Sequence, residues 1–236
     1  MPIYISPEQL HSAIRDISWS LPENAYLAKG EDRMLTTGSK LPHSKIRGTL
    51  QHVTWRTHDS IPQEQVDLLL RRADQFRLTH PLPWDKPTET EYRNMWEKKI
   101  NSLIDRGYGS CLLKHLPVRQ ALMECFTNIS ETAGEILAYA IMPNHVHLLI
   151  RNFEELDDII GEIKRVSALK INELIGENGA FWHRNYFDRM MRTEHQLETT
   201  ILYIVNNPRY LKPGEYTIWV RGLGDIYFNK LFINGG

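Results

Sequence analysis

Four residues have types and spacings from which chemistry can be built: His145, His147, Tyr203 and Asn207. The run HVHLLIRN, residues 145 to 152, has strand character, and successive side chains of a strand point to opposite faces. His145 and His147 therefore project from one face, close enough to share a metal ion. Tyr203 and Asn207 lie four apart in a helix-periodic run, EHQLETTILYIVNN, so they stack on one helix face a turn apart. If that helix lies across the strand, two imidazole nitrogens and an amide oxygen meet, leaving open positions for a phosphate oxygen. Tyr203 would stand beside that phosphate as a nucleophile. A phenol with an ordinary pKa of about 10 is protonated about a thousand to one at neutral pH, so it needs such help. Each half also has a plain alternative. A His-x-His pair suits a solvated strand face, and a tyrosine late in an amphipathic helix suits packing.

A second constellation is FWHRNYFDRMMR, residues 181 to 192, where Arg184, Arg189 and Arg192 outnumber Asp188 and are interleaved with Phe181, Trp182, Tyr186 and Phe187. Arginines grip phosphates and aromatic faces stack on unpaired bases. The same pattern also fits an amphipathic strand whose aromatics fill a core. Over the whole chain 28 Lys plus Arg against 29 Asp plus Glu give a net charge of -1, so any nucleic-acid contact has to be local.

A chain of 236 residues, 42% hydrophobic and 24% charged, is long enough for one core with an insertion. Cys111 and Cys125 form no CxxC pair, and the start MPIYISPEQLHSAIRD has no basic region followed by an apolar run, which predicts a reducing cytoplasm. No stretch approaches the roughly 18 apolar residues of a membrane span, which excludes membrane roles. No GxxxxGK[ST] loop is present, so no nucleotide cofactor is expected.

The pattern predicts an extension over 1–46 ending in the polar run LTTGSKLPHSK, then a strand over 48–57. A charged helical hairpin follows as an insertion over 62–106, and Pro117 opens another helix. Two apolar strands, GEILAYAIM and HVHLLIRN, are joined by Pro143-Asn144, and LDDIIGEIKRVSALKINELIG reads as a helix. A strand near NYFDRMMR precedes the Tyr203 helix, which Pro208 stops, and 209–236 reads as a tail. Strand, helix, strand, strand, helix, strand, helix is the order of a ferredoxin-like α+β antiparallel sheet with a helical insertion and one added C-terminal helix.

The string MPNHVHLLI, Met142 to Ile150, resembles the histidine-hydrophobe-histidine (HUH) signature of single-tyrosine transposases, in particular the REP-associated tyrosine transposases, a bacterial chromosomal branch. HVTWRT at 52–57, RGYGSCLL at 106–113, FWHRNYFDRMMR at 181–192 and YIVNNP at 203–208 occur in that family's order, so the likeness covers about residues 47–208. It implies the HUH endonuclease fold for 47–208, Tyr203 as nucleophile, and His145, His147 and Asn207 as ligands of Mg2+ or Mn2+. The implied activity is cleavage and rejoining of single-stranded or hairpin DNA at palindromic repeats through a 5′-phosphotyrosine, by a nucleoid-associated protein. Lys164, Trp182, Asp188 and Arg192 match recurrent family positions. With Arg56, Arg184 and Arg189, the residues Lys164, Trp182 and Arg192 make up the expected DNA-binding set. Monomer and homodimer stay open, as does action in cis or in trans. After Pro208 the family continues with Val-Lys-Ala-Gly, whereas this chain has Arg209-Tyr210-Leu211-Lys212-Pro213-Gly214. That departure and the neutral charge motivate a second reading, a domesticated hairpin-DNA-binding protein without catalysis. A third, on fold analogy alone, is a metal-dependent RNA or nucleotide-binding domain.

Overall fold

Alternation of apolar and polar side chains sets the sheet, because each strand must bury one face or both. A computed structural model describes residues 3–27, 34–35, 43–44, 46–81 and 84–228. Strand β1 (Ile3–Ile5) and helix α1 (Pro7–Ser20) come first, then β2 (Met34–Leu35) and β3 (His43–Ser44), a small separate ribbon. Strand β4 (Leu50–Arg56) is followed by the inserted hairpin α2 (Gln63–Thr79) and α3 (Lys86–Ile104), then by α4 (Leu116–Thr132), β5 (Gly134–Ile141) and β6 (His145–Asn152). Helix α5 (Leu156–Ile175), strand β7 (Phe187–Met190), helix α6 (Glu194–Asn206) and strands β8 (Thr217–Val220) and β9 (Gly224–Phe228) complete the order. The expected boundary run Leu35–Lys45 lies for the most part outside the described residues.

Strands β5-β6-β4-β7 are antiparallel neighbours in the order the ferredoxin-like pattern requires, with α4 and α5 on one face. The main sheet is larger and less uniform than the sequence pattern predicts. It has seven strands in the order β1-β9-β8-β5-β6-β4-β7, and β1 pairs with β9 in parallel. Residues expected as a tail thus supply two strands. Thr217–Val220 and Gly224–Phe228 fold back on each other because Gly222 (φ +86°) and Gly224 (φ +74°) take a backbone conformation that L side chains rarely adopt. The N-terminal segment is equally built in. Ser6 and Gln9 form a capping box at the start of α1, and Leu10, Ile14 and Ile17 join the apolar layer beside α6.

The two faces of the sheet bury different clusters. Val53, Trp55, Val146, Leu148 and Ile150 point at α4 and α5, where Trp55 meets Phe126 and Trp182 edge to face. Leu50, Ala138, Ala140 and Leu149 point at α6 and α1, against Leu197, Ile201, Ile204 and Val205. Among the described residues no helix is long and apolar enough to cross a membrane.

The C-terminal strands are fastened by Arg119 of α4, a cation only 2% exposed. Its guanidinium donates to Leu113 O (2.9 Å), Lys114 O (2.6 Å), Gly214 O (2.6 Å) and Thr217 Oγ1 (2.9 Å). Arg119→Ala would strand four acceptors, each costing of the order of 1 kcal/mol or more. The expected result is a loss of at least about 2 kcal/mol in urea denaturation, with residues near Gly214 becoming protease-sensitive first.

Candidate functional site

Helix α6 is placed by its own sequence. Thr193 caps it by accepting from the Gln196 amide at 3.1 Å, and Glu194 in its first turn complements the helix dipole. Leu197, Ile201, Ile204 and Val205 form the stripe that packs on the sheet. Tyr203 and Asn207 flank that stripe, and this sets them over β6. The Tyr203 ring stands 5.2 Å from that of His147 and 5.8 Å from that of His52, edge on in both cases. Tyr203 is 41% exposed, whereas both histidines of the motif are 1% exposed.

The strand register adds neighbours that the motif does not contain. Opposite His145 and His147 on β4 stand Arg56 and Thr54, and opposite His52 and Thr54 on β7 stand Arg189 and Phe187. Directly paired residues share a face, so β4, β6 and β7 together present His52, Thr54, Arg56, His145, His147, Phe187 and Arg189 on one side of the sheet. There Tyr203 of α6 meets His52 and His147, and Ile100 and Ile104 of α3 lie next to Thr54, Arg56 and Phe187. His52 stacks on His147 at 5.4 Å.

Hydrogen bonds define which ring nitrogens are available. Asn144 donates through Nδ2 to Ile104 O (3.0 Å) and Tyr108 O (3.1 Å), which leaves its Oδ1 as the acceptor facing His145 Nδ1 at 2.9 Å. His145 therefore carries its proton on Nδ1 and keeps a lone pair on Nε2. That Nε2 is buried without a hydrogen-bond partner, since the nearest carboxylate, Asp105, is 3.7 Å away. His147 Nδ1 lies 3.0 Å from Thr54 Oγ1, and its Nε2 lies 3.0 Å from Asn207 Nδ2. A proton on Nδ1, given to Thr54, lets Nε2 accept from Asn207.

Burial keeps these rings neutral. It lowers the His145 pKa to about 3, with Asn207 opposing the shift, and lowers His147 well below the usual histidine value, helped by His145 and His52. His52 falls to about 4 through burial and Arg189. Asp105 is pushed up by burial, with Arg209 pulling the other way.

This donor set fits a divalent ion. Neutral imidazoles are the ligating form, each holds its other nitrogen in a hydrogen bond, and His145 presents an orphaned lone pair. Asn207 brings an amide to the same ring pair, its Nδ2 lying 3.0 Å from His147 Nε2. Among the described residues no three of His, Cys, Asp and Glu gather to hold an ion. A cleft of about 410 Å³ opens beside these residues, lined by His145, Tyr203, Asn207, Asp105, Arg209 and Tyr210.

The residues expected to bind DNA divide into four groups. Arg189 is exposed and lies one strand from Tyr203, on the shared face. Lys164 and Arg184 line a separate groove of about 490 Å³ between α5 and residues 179–186, where Lys164 Nζ donates to Arg184 O at 2.8 Å. Burial lowers the Lys164 pKa to about 8, with Arg56 adding to the effect. Arg192 is half-buried before α6, its backbone N–H held by Gln196 Oε1 at 2.8 Å. Two residues are committed to the interior instead. Trp182 is 6% exposed, its indole N–H donates to Ser167 Oγ at 2.9 Å, and its ring rests on Trp55 and Phe181, so it offers no face to a base. Arg56, 8% exposed, donates to Thr57 O (3.3 Å) and Ser60 Oγ (3.1 Å) and secures the exit of β4; burial lowers its pKa to about 10, still protonated at neutral pH. Sequence reasoning missed His52, Thr54, Asn144 and Asp105. The only signal was the alternation His-x-Thr-x-Arg on β4, which points three polar side chains to one face.

Two buried imidazoles on the sheet thus lie under a half-exposed phenol carried by α6. Residues 109–207 match the family described as IS200-like transposase, and the matched segment contains His145, His147, Tyr203 and Asn207 but not β4 or the α2–α3 hairpin. A solved structure described as "Structure of the REP associates tyrosine transposase bound to a REP hairpin" is similar over 72% of this chain and 72% of that one, at 16% identity and a TM-score of 0.39. No curated protein sequence matches the chain.

Two outcomes follow from the buried pair. A histidine whose pKa is lowered on folding is neutral in both states above pH 6.5. As pH falls below that value the unfolded chain binds a proton that the folded chain refuses, so stability drops towards pH about 3. With chelator present, His145→Asn should flatten the stability profile between pH 6 and pH 4 by about 1.4 kcal/mol per unit, read from urea denaturation. Asn144→Ala should weaken Mn2+ binding by about 10- to 100-fold in calorimetry, through loss of the Nδ1 acceptor.

Proposed function

We propose that this protein is a metal-dependent DNA strand transferase that cleaves and rejoins single-stranded DNA at hairpin-forming repeats. The observation that carries the reading is Tyr203, half-exposed on a cleft and 5.2 Å from a buried histidine whose Nε2 meets Asn207. The match of 109–207 to the IS200-like transposases and the resemblance to their REP-associated branch support the choice of DNA and of hairpin ends.

His145, His147 and Asn207 would hold the ion, Asn207 through its amide oxygen. A bound Mg2+ or Mn2+ supplies a Lewis acid that polarises a phosphate oxygen and offsets transition-state charge. Tyr203 Oη attacks the phosphorus as the bond to the 3′ oxygen breaks. The phenol gives up its proton and the departing 3′ oxygen takes one, leaving a 5′-phosphotyrosine and a free 3′ hydroxyl. Attack by a 3′ hydroxyl reverses the exchange, and one phosphodiester replaces another without a nucleotide cofactor. Arg189 lies where it can meet the phosphate backbone close to Tyr203, and Lys164 and Arg184 can carry the strand further off. The neutral net charge is compatible with binding through such local contacts.

The test is cleavage of a labelled hairpin oligonucleotide with Mg2+ or Mn2+. Tyr203→Phe should lose at least about 10³-fold in rate, form no covalent protein–DNA adduct and still bind the oligonucleotide. A wild-type protein that binds the hairpin yet forms no adduct with any divalent ion would favour the non-catalytic reading.

A further inference from the structure

We propose that Arg209 and Tyr210 form a nucleotide subsite at the mouth of the Tyr203 cleft. The guanidinium takes the phosphate, and the ring takes the base, of a nucleotide flanking the one that is cleaved. The inference rests on the phosphoryl-transfer reading of Tyr203 and adds to it the means by which the strand is presented.

Helix α6 ends at Asn206, so the negative end of its dipole faces the cleft that a phosphodiester must enter. The carboxylate of Asp105 lines the same cleft and stands 3.7 Å from His145 Nε2. Both features repel a phosphate. Among the described residues that line the cleft, Arg209 is the one lysine or arginine. A strand reaching Tyr203 by this route therefore meets a single side-chain cation, placed where helix and carboxylate leave the field most unfavourable. Arg56 and Lys164 do not line this cleft; they are turned to Thr57 and Ser60 and to Arg184.

The Tyr210 ring is 82% exposed, and the Arg209 guanidinium lies over it at 4.7 Å from its centroid. A cation held on an aromatic ring is a ready pair for a nucleotide, since bases stack on aromatic faces and phosphates take guanidinium hydrogen bonds. The turn after α6 fixes the pair, with Leu211 N–H donating to Pro208 O at 2.8 Å. Tyr203, Tyr210 and Arg209 line one cavity of about 410 Å³, within the range that small ligands occupy. Folding makes little use of so exposed a ring, so replacing it leaves the core intact.

The experiment uses the full chain carrying Tyr203→Phe, with Mn2+, and fluorescent oligothymidylate bearing one 2-aminopurine. Adding Tyr210→Ala should weaken binding about tenfold and remove the quenching of 2-aminopurine, while Tyr210→Phe keeps both. Arg209→Ala should weaken binding and make it less dependent on salt, by about 0.7 in the logarithmic slope. If the Tyr203→Phe protein binds and both alanine variants match it in affinity and salt slope, the subsite is wrong and the nucleophile assignment stands. If the Tyr203→Phe protein binds no single-stranded DNA, the phosphoryl-transfer reading fails and takes the subsite with it.

Discussion

An imidazole buried between a sheet and a helix stays neutral, and a neutral imidazole has one nitrogen that must give a proton and one that must receive. Two such rings side by side, His145 and His147, impose that choice twice. In each case the proton-bearing nitrogen is settled from outside the motif, by Asn144 at the strand turn and by Thr54 on the neighbouring strand. What remains is a pair of lone pairs under α6. The sheet register, the end of α3 and the placement of Tyr203 matter to function because they serve that arrangement.

The sheet divides the work by its period of two. Val146, Leu148 and Ile150 hold the strand against α4 and α5, while the residues between them face α6. A slip of β4 by one residue against β6 would set Val53 or Trp55 across from His147 in place of Thr54 and turn the polar row of β4 to the wrong side. Trp55, packed on Phe126 and Trp182, resists that slip, so a tryptophan that never meets substrate helps to position the imidazoles.

Much of the fold was legible because it depends on local pattern. The strand pair around Pro143-Asn144, the helix that begins near Glu194 and the ferredoxin-like order all follow from periodicity and turn chemistry. The C-terminal hairpin was also written in alternating residues around Gly222 and Gly224, but a run that short has no meaning until a sheet edge exists to receive it. The site was readable only where residues lie close in sequence. His-x-His and Tyr-x-x-x-Asn are local spacings. His52 and Thr54 depend on which strand lies next to β6, which no local pattern reveals. Trp182 is hard to read for a related reason, since a strand whose aromatics point inward and one whose aromatics point at a ligand have the same sequence. Its burial against Trp55 is a tertiary fact.

Asn144 can turn its oxygen toward His145 because its amide nitrogen is already engaged by two backbone carbonyls at the end of the inserted hairpin, those of Ile104 and Tyr108. The hairpin is therefore more than an ornament on a compact domain. A chain without α2 and α3 would keep both histidines and lose Ile104 O, one of the two carbonyls that turn the Asn144 oxygen toward His145. The inserted hairpin and the histidine strand, far apart in sequence, are thus joined through one asparagine.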